Sequence, residues 1–227
     1  MKCEIKYAPK SLNEVVYPNA GVENRIKLYA SGHLEGHVLL HGPNGTGKSS
    51  VARLLIEAIG GSDAHVDKPP SSSFFKGKNL HDYFAQQISF ARLTTSSKKY
   101  FLLCEEFDAL QANASEFWTA LDAHGTDMMV IMTTNEPLKV HKSIRSRSDI
   151  IDFPGISAAA ALQRVQYALR HEGVTLPDAQ VLTYLKEQEY WLEIRKYMRV
   201  ADALIALKNQ GQPFPAWQPI KPSLKVI

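Results

Sequence analysis

The sequence predicts an α/β protein: a parallel sheet flanked by helices, followed by a small all-helical unit. Three observations carry this. Up to Pro154 short apolar runs alternate with stretches of helical periodicity, the order that builds strand–helix–strand units. The runs "HVLLH" (37–41), "YFLLC" (100–104) and "MMVIMTT" (128–134) show no apolar–polar alternation, so these strands need cover on both faces, as parallel sheets have. After Pro154-Gly155 only helical patterns remain. The expected division is a sheet domain over 1–155, a helical domain over 156–211 and a proline-rich tail over 212–227.

Each element has its own signal. The strand at 37–41 leads into "SSVARLLIEAIGG" (49–61), a helix stopped by Gly60-Gly61. In "NLHDYFAQQISFARL" (79–93), Leu80, Phe84 and Ile88 recur at spacing four, a helical stripe. The strand 100–104 precedes "NASEFWTALDAHG" (113–125), a helix ending at Gly125; the strand 128–134 and a weaker one, "DIIDF" (149–153), close the sheet. Ser157 is a suitable N-cap for a helix that runs to Gly173. Further helices lie in "DAQVLTYLKEQ" (178–188) and "LEIRKYMRVADALIALKNQG" (192–211), and the tail, with four prolines, reads as extended. The polar stretch "DKPPSSSFFKGK" (67–78) is a loop long enough to suggest a functional role.

Composition sets the bounds. The chain has 227 residues, 44% hydrophobic and 22% charged, which suits one large domain or one ordinary domain with a satellite. A net charge of +3 permits a nucleic-acid partner without arguing for one. Two cysteines, Cys3 and Cys104, make no disulfide framework; that suits a reducing compartment, with Cys104 as a core residue. No apolar stretch approaches the ~20 residues of a membrane span. The N-terminus "MKCEIKYAPK" has no apolar signal core, so the expected location is cytoplasmic.

The chemistry centres on "GPNGTGKS", Gly42, Pro43, Asn44, Gly45, Thr46, Gly47, Lys48 and Ser49, which matches G-x-x-x-x-G-K-[ST] between a strand and a helix. The glycines let backbone N–H groups wrap an anion, and the helix aims its positive end at the same spot. Lys48 would reach the β- and γ-phosphates of ATP and the Ser49 hydroxyl would ligate Mg²⁺, with Ser50 beside it in the nucleotide-binding set. Ligands of parallel sheets sit beyond the carboxyl ends of the strands. Glu105 and Glu106 lie at that end of their strand and so converge on the loop: Glu105 to hold Mg²⁺ through water, Glu106 to orient or deprotonate the attacking water. Asn135, ending "VIMTTN", could aim its amide at that water or at the γ-phosphate, although Thr-Asn-Glu-Pro is also an ordinary turn. Arg145 and Arg147 in "SIRSRSDI" are either solvated surface arginines or an arginine finger for a neighbouring subunit's γ-phosphate.

These four elements, in this order and with a helical unit behind them, resemble the AAA+ ATPase family. The stretch from "YAPKSLNEVVYPNAG" through the phosphate loop is similar to the opening of sliding-clamp-loader ATPase subunits such as the replication factor C small subunits; bacteriophage versions, with "EFD" after the acidic strand, look nearest. The resemblance spans roughly residues 6–210 and implies a P-loop AAA+ sheet with a helical lid. It implies that Val15, Val16 and Tyr17 line the adenine pocket, with Pro18 near it. It makes Arg147 the trans finger, in a Ser-Arg-Cys motif where Ser148 stands for cysteine, and puts Arg195 of "YWLEIRKYMRVADAL" on the γ-phosphate from the lid. Asp108 would be the last acidic position of the family's box.

Three departures stand out: Glu105 replaces the usual aspartate, Ala8 replaces an arginine of the opening motif, and the chain stops before the helical collar that joins clamp-loader subunits. The resemblance further implies other AAA+ subunits as partners, a sliding clamp, and DNA held by its backbone, with Lys76, Lys78, Arg92 and Ser71–Ser73 as candidate contacts. Competing expectations are a helicase loader, a transposition or other mobile-element regulator, and a nucleotide-gated scaffold with weak hydrolysis.

Overall fold

The computed structural model describes residues 1–69, 77–107 and 114–214. The chain forms two compact units, one over Pro9–Gly155 and one combining Met1–Ala8 with the chain from Ile156 on.

Among the described residues the first unit holds five parallel strands: β1 (His37–His41), β2 (His65–Asp67), β3 (Tyr100–Cys104), β4 (Met128–Thr134) and β5 (Ser148–Asp152). Their spatial order is β2-β3-β4-β1-β5, so the strand before the glycine loop lies inside the sheet between β4 and β5. Register pairs Val38 with Ile131 and Leu102 with Val130. Helix α1 (Cys3–Lys6) belongs to the other unit; the sheet unit carries α2 (Ala20–Ala30), α3 (Lys48–Gly60), α4 (Leu80–Thr94), α5 (Ala114–His124) and the single turn α6 (Lys142–Arg145).

Side chains that alternate along each strand feed two cores, one per face. Val38, Leu40, Phe101, Leu103, Met129 and Ile131 pack against Val22 and Ile26 of α2 and Val51, Leu55 and Ile56 of α3. Leu39, Leu102, Cys104, Val130 and Met132 pack against Leu80, Phe84 and Ile88 of α4 and Phe117 and Leu121 of α5. The α4 stripe expected from spacing four is this buried face. Its start is capped by Asn79, whose side chain accepts from the Asp82 N–H.

The short helices α1 and α6, helix α2 and strand β2 have no counterpart in the expectations from sequence. Strand β2 is three half-buried residues ending where the predicted 67–78 loop begins. Its Asp67 accepts hydrogen bonds from the Tyr83 hydroxyl and, at 2.9 Å, from the Tyr100 hydroxyl, which fixes this edge to α4 and β3.

The second unit packs α7 (Ala158–His171), α8 (Asp178–Lys186) and α9 (Ile194–Asn209) around Ala161, Val165, Leu169, Val181, Leu185, Tyr197 and Leu204. Ser157 caps α7 as expected, accepting from the Ala160 N–H at 3.2 Å. Residues 1–8, expected with the sheet, pack with these helices instead. The reason is a set of specific bonds: the Cys3 N–H donates to Asp202 at 2.8 Å, the Tyr7 hydroxyl to Glu172 at 2.7 Å, and Arg164 to the Tyr7 carbonyl at 2.6 Å. Among the described residues no helix is long and apolar enough to cross a membrane.

Candidate active site

The glycine loop runs from the end of β1 into α3. Gly42 sits at φ 139°, and a Cβ there would lie 2.1 Å from the Phe153 carbonyl oxygen, so only glycine fits. Gly45 and Gly47 also hold positive φ, at 72° and 92°, and Gly47 directly precedes the thirteen-residue α3. The Thr46 hydroxyl closes the loop on the Pro43 carbonyl at 3.0 Å. Lys48 is buried, and its ammonium donates to the carbonyls of Gly42 (2.7 Å) and Pro43 (2.6 Å) and to Asn135 Oδ1 (3.1 Å). Burial pulls its pKa below the ordinary lysine range, while the Glu106 charge opposes the shift. Ser49 and Ser50 stand half-buried in the first turn of α3.

The ends of β3 and β4 complete the site. The Glu106 N–H donates to Thr133 Oγ1 at 3.2 Å and the Phe107 N–H to the Thr133 carbonyl at 2.7 Å, tying the carboxylate pair to β4. Glu106 has φ 52°, an uncommon left-handed conformation for a side-chain-bearing residue and one that marks functional turns. Asn135 turns its oxygen to Lys48 and donates from Nδ2 to Asn44 Oδ1 at 2.8 Å, so it is a structural tie of the phosphate loop as well as a candidate for the attacking water. Both Glu105 oxygens accept from Arg53 Nη2, at 2.9 and 2.8 Å. Glu105 and Ser49 are hard oxygen donors of the kind Mg²⁺ takes in ones and twos beside substrate phosphates, so the donor set fits that ion.

The remaining expected residues fall in distinct places. Val15 and Val16 are half-buried, Pro18 likewise, and Tyr17 is buried on the α2–α3 face of the sheet. The Tyr17 hydroxyl has no hydrogen-bond partner among the described residues, and burial pushes its pKa up to about 12, with Glu23 adding to the rise. Arg147 pairs with Asp122 of α5 and lies over the Trp118 ring at 4.5 Å. Arg145 is half-buried, and its Nε has no hydrogen-bond partner among the described residues. Arg195, second residue of α9, has its Nε 3.7 Å from Glu4 within the helical unit. Lys78 lies over the Tyr83 ring at 4.6 Å, and Arg92 pairs with Asp127 at 2.6 Å. Asp108, Lys76, Ser71–Ser73 and most of the proline-rich tail lie outside the described residues.

Arg53, Asp122 and Trp118 were not foreseen. Arg53 had a readable signal: it follows Ser49 by four residues and so shares its helix face. Asp122 and Trp118 meet Arg147 only through the fold.

A glycine loop on a helix start, a buried lysine and strand-end carboxylates define a nucleoside-triphosphate-binding domain. Residues 38–155 match the profile of the ATPase family associated with various cellular activities, AAA, and the chain belongs to that family. It is 24% identical over 204 residues to the sliding-clamp-loader large subunit of Enterobacteria phage T4, covering 82% of this chain and 60% of that one. It is 26% identical over 171 residues to the replication factor C small subunit of Aeropyrum pernix, covering 74% and 52%. The chain thus spans half to three fifths of the length of these relatives. The Holliday junction branch migration motor RuvB of Thermotoga maritima shares the fold, with a TM-score of 0.67 at 18% identity over 91% of this chain and 68% of that one.

Proposed function

We propose that this chain binds and hydrolyses ATP as one subunit of a clamp-loader-like DNA replication complex, in an oligomer whose neighbours share active sites. The observation that carries the nucleotide reading is the meeting of Lys48 and Asn135 at 3.1 Å, which joins the phosphate loop to the end of β4. In this reading the backbone N–H groups of residues 42–49 bind the phosphates. Lys48 exchanges its carbonyl partners for β- and γ-phosphate oxygens, and Val15, Val16 and Tyr17 face the base. Mg²⁺, when bound through Ser49 and Glu105, neutralises charge on the β- and γ-oxygens. Glu106 takes the proton of the attacking water, Asn135 helps to orient that water, and Arg147 of one subunit and Arg195 of the lid stabilise charge on the γ-phosphate.

The clamp-loader assignment rests on the relatives named above. A surface feature agrees with a protein partner: Phe90 and Leu93, three residues apart near the end of α4, are 53% and 86% exposed. The test is ATPase activity measured alone, with primed DNA, and with DNA plus the sliding clamp of the same replicon. Stimulation by both supports the loader. Turnover indifferent to both removes that reading and leaves an AAA+ module that acts on another partner.

A further inference from the structure

Glu105 departs from the aspartate of the resemblance by one methylene, and the structure gives that methylene a partner. Arg53 Nη2 bridges the two Glu105 oxygens at 2.9 and 2.8 Å. Arg53 lies one turn beyond Ser49 on the same face of α3, about 6 Å further along the helix axis. The guanidinium therefore draws the carboxylate towards the second turn, away from the residue expected to share the metal with it. An aspartate here, with an arm shorter by one carbon–carbon bond, would lose this bridge.

From this arrangement we propose that Arg53 is a positioning residue that competes with magnesium for the Glu105 carboxylate and so raises the Mg²⁺ concentration the site requires. The inference rests on the proposed ATP site. A cation that bridges both oxygens occupies the lone pairs between them, where a metal-bound water would donate. Magnesium holds its ligands in strict octahedral geometry and tolerates little displacement. Arg53 has to release at least one oxygen before Glu105 can turn to the first turn of α3. The pair is partly solvated, with side chains 57% and 29% exposed, so it is a weak latch rather than a block.

The test is the Mg²⁺ dependence of binding of a fluorescent N-methylanthraniloyl ATP, read by anisotropy, in wild type, R53Q, R53K and E105D. The half-saturating Mg²⁺ is expected to fall by roughly two- to five-fold in R53Q, the size of an exposed ion pair. E105D should fall by a similar factor, and R53Q/E105D should show no further drop, because both changes remove one contact. R53K, which keeps the charge but not the bridging fork, should fall between wild type and R53Q. An unchanged Mg²⁺ requirement in R53Q, or a raised one, overturns the proposal. K48A separates this from the larger reading: if K48A, folded by circular dichroism, binds the analogue as wild type does, the ATP site itself is wrong. If K48A loses binding while R53Q behaves as wild type, only the role of Arg53 fails.

Discussion

Arg147 and Asp122 meet fork to fork: Arg147 Nε lies 2.6 Å from one carboxylate oxygen and Nη2 2.7 Å from the other. Two more contacts fix the guanidinium, the Ser143 carbonyl at 3.0 Å and the Trp118 ring at 4.5 Å. The carboxylate keeps Arg147 firmly protonated and is itself held below the usual aspartate range by the hydrogen bonds it accepts. An arginine held this way has a defined direction at the surface, and bidentate geometry is what a lysine could not supply.

If Arg147 completes a neighbour's site, Arg147→Ala should lower turnover on the order of 10³-fold and leave ATP binding intact. Mixing Arg147→Ala subunits with Lys48→Ala subunits should restore part of the rate, since in mixed assemblies an intact loop meets an intact finger. Steady-state ATPase across mixing ratios reads this. No rescue at any ratio, with assembly verified by sedimentation, counts against a finger in trans.

The turn that carries Glu106 supports a second prediction. Its φ of 52° and the bonds from residues 106 and 107 to Thr133 hold the carboxylate just beyond β3. Glu106→Gln keeps the shape and removes the base, so hydrolysis should fall by roughly 10²–10⁴-fold while ATP affinity stays within a few-fold. Single-turnover hydrolysis beside equilibrium ATP binding distinguishes this from a folding defect. Equal turnover in both proteins would favour the scaffold reading, in which hydrolysis is not the working step.

Much of this site was legible because its chemistry is local. The phosphate loop is eight consecutive residues, and the runs 100–104 and 128–134 are apolar on both faces, so the carboxylates and Asn135 at their ends could be placed at one rim of the sheet. Apart from helix α2, what escaped was either short or non-local. Strand β2 is His-Val-Asp at a sheet edge, with too little apolar content to stand out. The stripe Val22, Ile26 and Tyr29 in α2 was visible in the chain but carried no chemistry to draw notice. Contacts such as Arg147–Asp122 and Arg53–Glu105 join residues 25 and 52 positions apart, and only the packed sheet brings them together.

Phe90 and Leu93 yield a third prediction. Leu93 faces solvent and Phe90 is half exposed with its ring 4.9 Å from His65, so a Phe90→Ala/Leu93→Ala protein should stay folded with a loss of about 1 kcal/mol. If these side chains seat on a partner, the double variant should keep basal ATPase activity and lose most of its stimulation by the clamp. Unaltered stimulation would move the partner contact elsewhere on the surface.

His37 sets a pH limit on the sheet unit. Its ring is buried, 6% exposed, and Nδ1 accepts the Val130 N–H at 3.2 Å. A protonated imidazole has a hydrogen on both nitrogens and cannot accept that bond. Burial is the main cause holding its pKa below the ordinary 6.5, against smaller opposing effects of the Leu121 backbone and the Asp122 charge. The sign follows from linkage. Above about pH 6.5 the ring is neutral in both the folded and the unfolded chain, and its contribution does not vary. Below that the unfolded chain takes up a proton that the folded chain refuses, so stability falls as pH drops, by up to about 1.4 kcal/mol per pH unit until the lowered folded pKa is reached. Urea midpoints at about pH 7.5 and about pH 5.5 should separate more for wild type than for His37→Gln, whose amide oxygen can accept from Val130 and does not titrate. Parallel pH profiles for the two proteins would show that the ring takes up its proton without cost in the fold.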